Sequence, residues 1–100
     1  MIIKALHFEW DEDKGKANLK KHNVSFKEAR TAFYDPWSLI LEDPSHSQDE
    51  ERFIVLGMSN RPRLLIVCHC YRNQESAIRI ISARKATKTE AVAYQKHRGG

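Results

Sequence analysis

A chain of 100 residues, 41% apolar and 30% charged, is expected to form a single domain (1–100) with a thin core and a large polar surface, and its composition does not indicate disorder. No run approaches the roughly 18 apolar residues of a membrane span, and the opening MIIKALHFEW lacks a signal-peptide core, so the cytoplasm is the expected compartment and no membrane partner is expected. The formal charge of +4 is unevenly spread: residues 1–50 hold seven Lys/Arg against ten Asp/Glu, and residues 51–100 hold ten against three. A basic C-terminal half is the footprint of a phosphate-rich partner, or else a solvated face that aids solubility.

The first expected element is a short strand from Leu6 to Trp10. Asp11 then caps a helix running to about His22, with Glu12 and Asp13 near its positive end and Lys20 and Lys21 near its negative end. Asn23 suits a left-handed break, and Ser25 with Glu28 has the spacing of a capping box. The second helix, Phe26 to Tyr34, buries a stripe of Phe26, Ala29 and Phe33 and stops at Asp35-Pro36. Four strands follow: Ser38–Glu42, Arg52–Met58, Leu64–Tyr71 and Ala77–Ala83. The last three are joined by four-residue connections, too short for parallel crossovers, and so form an antiparallel meander. Thr87 and Glu90 make a second capping box that opens a final helix through about His97. The order β-α-α-β-β-β-β-α is that of an α+β fold, a small antiparallel sheet with helices packed on it.

Leu64–Tyr71 is apolar on both faces and must be central, with Ile66, Cys68 and Cys70 on one side and Leu65, Val67, His69 and Tyr71 on the other. Cys68 and Cys70 read as reduced packing residues. Cys68-His69-Cys70 fails as a metal site, because the histidine points away from the thiols and no second ligand pair exists; no metal and no cofactor are expected. His69 is read either as a satisfied core residue or as a proton-transfer group. Asp49, Glu50 and Glu51 read as a solvated turn, and the isolated glycines give no phosphate loop.

The stretch Ile78–Glu90, IRIISARKATKTE, places Arg79 on a strand and Arg84 and Lys85 at the corner before Thr87. Strand alternation leaves open whether Arg79 and Arg84 share a face. Guanidinium groups beside a helix N-terminus suit phosphate oxygens; alternatively, Arg79 pairs with a carboxylate across the sheet and Arg84 stacks on Trp10 or Tyr94.

Taken together, FEWDEDK…N…KHNVSFKEA, DP, EERF with VLGMS, LLIVCHCYR and IRIISARKATKTE…Y resemble the BrnT family of toxins from bacterial type II toxin–antitoxin systems. The resemblance extends from Phe8 to Tyr94. Asn23 stands where the family usually has Gly, and Trp37 is less typical. The resemblance implies a RelE-like fold, an endoribonuclease that cuts RNA to inhibit translation and growth, and a BrnA-like DNA-binding antitoxin, with a heterotetramer as one arrangement of the complex. Metal-free RNA cleavage needs proton transfer and stabilisation of the phosphorane, which gives a 2′,3′-cyclic phosphate. The expected catalytic residues are His22 and His69 for proton transfer and Arg79 and Arg84 for the phosphate. Arg61, Arg63, Arg72 and Lys85 are expected to bind RNA. The alternative is a non-catalytic nucleic-acid- or partner-binding module.

Overall fold

The computed structural model describes residues 7–43, 51–74 and 76–99, so Leu6 and the run at Asp49-Glu50 lie outside the described residues. The described elements are strand β1 (His7–Glu9), helix α1 (Glu12–His22), helix α2 (Phe26–Ala29) continued by a 3-10 segment (Arg30–Tyr34), strands β2 (Leu39–Glu42), β3 (Phe53–Met58), β4 (Leu64–Arg72) and β5 (Ala77–Lys85), and helix α3 (Lys88–His97). The expected order holds. No described helix is long and apolar enough to cross a membrane.

The local signals act as their chemistry dictates. The Asp11 carboxylate accepts from Lys14 N–H, and Asn23 closes α1 in the left-handed region at φ 58°. At α3 both halves of the Thr87/Glu90 capping box are present. The Ser25 box is only half made. Ser25 Oγ accepts from Glu28 N–H, but the Glu28 carboxylate turns away to Arg63 and Ser59, a stronger pair of partners than one backbone N–H.

The five strands lie in the order β1-β5-β4-β3-β2. β2, β3, β4 and β5 pair antiparallel, but β1 pairs parallel with β5, Phe8 opposite Ile78 and Glu9 opposite Arg79. The sheet is therefore mostly, not wholly, antiparallel. Short loops fix strand direction only for neighbours in sequence, and β1 reaches β5 after most of the chain has intervened. β5 also runs on to Lys85, opposite Leu65, and Ala86 N–H continues to Leu64 O at 2.9 Å. Arg84 thus sits within a strand, not at a corner.

One face of the sheet carries Val55, Leu65, Val67, Ile80 and Ala83, packed on Val24, Phe26, Ala29 and Ala32 of the helical segment. Burying side chains of this kind contributes about 1.5–3 kcal/mol for each large one. Gly57 lets the 3-10 segment approach: a Cβ there would lie 2.6 Å from Ala32 O. On the other face α3 covers one end, where Tyr94 packs with Leu56 and Ile66. The Tyr94 hydroxyl donates to Asp35 Oδ2 at 2.5 Å, and Met58 N–H reaches the same oxygen at 2.8 Å. Asp35 therefore joins the end of the 3-10 segment to β3 and α3. No described helix covers the rest of that second face, the open face, although Cys70 on it is buried.

Candidate nucleic-acid interface

The β4–β5 register shifts between Cys68 and His69: Cys68 faces Ser82, but His69 faces Ile80, leaving Ile81 as an extra residue. Without that bulge Arg79 and Arg84 would alternate onto opposite faces. With it, Cys70 faces Arg79 and Ile66 faces Arg84, so both arginines stand on the open face with Cys68 and Cys70. Arg72, two residues beyond Cys70, shares that face.

The bulged end of β5 is held by α1. Beyond Glu9 the short β1 no longer covers the edge of β5, and Asn18 takes its place. Its Oδ1 accepts from Ala83 N–H at 3.1 Å, and its Nδ2 donates to Ala83 O and Val24 O, each at 2.9 Å. The amide acts as one residue of an added strand, and it brings the C-terminal end of α1 beside the open face. Arg63 fastens the same region from behind. Its guanidinium forks onto the buried Glu28 carboxylate and donates to Asn23 O at 3.0 Å, one residue past His22. The Arg63 bond leads the causes that hold Glu28 below the usual carboxylate range.

A cleft of about 400 Å³ results across the open face, lined by His22, Asp43, Arg52, Ile54, Ile66, Cys68 and Ile81 to Arg84. Burial, then the hydrogen bond to Asp43 at 3.5 Å, pushes the Cys68 thiol up to about 11. It stays protonated, and neither cysteine forms a disulfide.

Of the four residues expected to be catalytic, His22 and Arg84 meet in this cleft. Arg79 lies on the same face outside it and pairs with Glu9 at 3.0 Å, the cross-sheet carboxylate that was one of its two expected fates. Arg84 does not stack on Trp10 or Tyr94. It forms a two-point pair with Glu90, Nη1 to Oε1 and Nη2 to Oε2, both 2.9 Å. That pair raises Arg84, and with the cap it holds Glu90 at about 2.

His69 lies behind the sheet. It is fully buried among Phe33, Phe53 and Tyr71, with Phe33 in edge contact at 4.7 Å. Its Nδ1 lies 3.2 Å from Val67 O, and burial pushes its pKa down, so it is a neutral core residue. The sheet separates it from His22.

Among the residues expected to bind RNA, Arg61 is exposed in the β3–β4 turn, Lys85 is exposed at the end of β5 in register with Leu65, and Arg63 is committed to Glu28. Sequence reasoning missed Arg52 in the cleft and Asn18 beneath it. Arg52 is in phase with Ile54 and Leu56, a signal that alternation does carry; the Asn18 contact spans 65 residues and leaves no local trace.

Comparison with known proteins decides the family. The profile described as "Ribonuclease toxin, BrnT, of type II toxin-antitoxin system" matches residues 10–90. The chain belongs to the BrnT family. A solved relative, the ribonuclease toxin BrnT of Brucella abortus, superposes with a TM-score of 0.61 at 21% identity, covering 84% of this chain and all of that one. At that identity the likeness is one of fold. No curated protein matches the sequence. Membership in BrnT associates the chain with ribonuclease toxins of type II toxin–antitoxin systems, and so with an RNA substrate and an antitoxin partner.

Proposed function

We propose that this BrnT chain is a metal-independent endoribonuclease that cuts RNA on the open face of its sheet. The observation that carries the reading is the meeting of His22 and Arg84 in one cleft, brought about by the Ile81 bulge and the Asn18 bridge. Arg84 holds the scissile phosphate and offsets the charge gained in the phosphorane, a task that suits a permanently charged planar donor. His22 transfers the proton of the 2′-hydroxyl or of the leaving 5′-oxygen, since imidazole exchanges protons near neutral pH. Attack by the 2′-oxygen on phosphorus, with departure of the 5′-oxygen, yields a 2′,3′-cyclic phosphate. Arg52, Arg72 and Arg79 extend the phosphate track along the same face, and Arg61 flanks it from the turn. Arg63 and His69 serve the fold.

The sheet arrangement is consistent with a RelE-type architecture. A BrnA-like DNA-binding antitoxin neutralises the toxin by laying an acidic or apolar segment over the basic face, with a heterotetramer as one arrangement of the complex, and free toxin arrests translation and growth in the cytoplasm. The test is purified protein on purified RNA in EDTA, with the product ends identified. Cleavage leaving 2′,3′-cyclic ends is expected. Loss of cleavage in EDTA would replace the account with a metal mechanism, and binding without cleavage would leave a non-catalytic RNA-binding module.

A further inference from the structure

Arg84 uses only part of its donor set. Nη1 donates to Glu90 Oε1 at 2.9 Å and to Lys85 O at 3.2 Å, and Nη2 donates to Glu90 Oε2 at 2.9 Å. A guanidinium carries five N–H groups, so an end-on carboxylate leaves the Nε–H and the second Nη2–H side by side on the remaining edge. No acceptor among the described residues takes them. Two parallel N–H groups at that spacing match two oxygens of a phosphate.

The carboxylate that holds Arg84 is itself fixed. Glu90 Oε1 also accepts from Thr87 N–H at 2.8 Å, while Thr87 Oγ1 accepts from Glu90 N–H at 3.2 Å. The first turn of α3 is thereby tied to β5 through one side chain. A negative group beside a phosphate-binding arginine weakens the attraction for RNA, so its presence needs another reason, and the geometry supplies one: orientation.

We propose that Glu90 is a positioning residue for RNA cleavage, holding Arg84 end-on so that its free Nε/Nη2 edge meets the scissile phosphate in the cleft. This rests on the reading that Arg84 is the phosphate ligand. Glu90 touches neither substrate nor reacting atoms; it acts through Arg84. The same side chain also caps α3, and two substitutions separate those tasks. Glu90→Gln keeps the cap, because glutamine serves in the capping box, but loses the charged two-point hold. Thr87→Ala weakens the cap and leaves the Arg84–Glu90 pair in place.

The experiment measures the cleavage rate at saturating RNA, together with the affinity for a 2′-O-methyl oligonucleotide of the same sequence, which cannot be cut by 2′-oxygen attack. Arg84→Ala should lose both cleavage and affinity. Glu90→Gln should lose about 10–100-fold in rate, the cost of a misplaced group, with affinity unchanged or tighter. Thr87→Ala should melt lower and cleave like the parent. If Arg84→Ala is inactive and Glu90→Gln cleaves at the parent rate, the positioning role is overturned and the phosphate reading stands; if Arg84→Ala is fully active, the phosphate reading itself fails. A check that needs no variant follows the Arg84 Nε–H resonance during titration with inorganic phosphate. A shift at Nε is expected, and a silent Nε would overturn the proposal.

Discussion

Asn18 and Ala83 meet through both of Ala83's backbone groups, Oδ1 to N–H at 3.1 Å and Nδ2 to the carbonyl at 2.9 Å, although 65 residues separate them. Asn18→Ala leaves those groups and Val24 O short of partners at a buried position, a loss of roughly 1–3 kcal/mol. Because the bridge sits one residue before Arg84, cleavage should fall by more than the folded fraction does. Urea melts paired with cleavage rates check this; a destabilised variant with an unchanged rate per folded molecule would separate the bridge from the site.

Arg63 and Glu28 set apart a structural cation from an RNA-binding one. Breaking a largely buried pair with one partner left behind is strongly destabilising, about 3–5 kcal/mol when full and less here, since Arg63 keeps some solvent contact. Arg63→Ala should therefore lower the melting temperature and leave the salt dependence of RNA affinity unchanged. Arg79→Ala should flatten that dependence by about 0.7 in the log–log slope. The reverse pattern would return Arg63 to the RNA surface.

Much of this fold is legible in the chain. Asp11, Asn23 and Thr87 mark helix ends by side-chain chemistry that acts over three or four residues, and the short connections after Met58 and after Arg72 fix the meander. The face of His69 follows from alternation along β4. What local patterns miss is set by contacts distant in sequence. The parallel β1–β5 pair has no turn to announce it, and the Ile81 bulge lies in IRIISARK, where no Gly, Asn or Pro signals a break. That bulge decides whether Arg79 and Arg84 share a face, so the site turned on a feature the sequence does not display. Glu28 has the spacing of a capping box, but its carboxylate answers to Arg63, 35 residues away.

Stability should fall in acid for two separable reasons. His69 is depressed below 6.5 by burial, so the unfolded chain takes up a proton first and stability declines as pH drops below about 6.5. Glu28 and Glu90, lowered by their arginines, and Asp35, raised by burial but lowered further by Tyr94, Met58 and Trp37, favour the folded state above their unfolded values of 4.5 and 3.8. That stability is lost as pH falls through the folded values, near about 2 for Glu90. Melting temperatures from pH 8 to 3 should show both declines, and His69→Phe should remove the first alone. At the alkaline end Tyr94, raised to about 12 by burial and Asp35, supports the fold below pH 10.0 and loses that support as pH rises through 12.

The central claim is that chemistry takes place on the open face, with His22 and Arg84 as its agents and His69 confined to the core. The decisive measurement is the cleavage rate of purified RNA in EDTA by His22→Ala, Arg84→Ala and His69→Phe, each confirmed folded by circular dichroism. The account predicts losses of about 10²–10⁴-fold for the first two and a near-parent rate for the third. Full activity in folded His22→Ala and Arg84→Ala, or a loss of that size confined to His69→Phe, would contradict it.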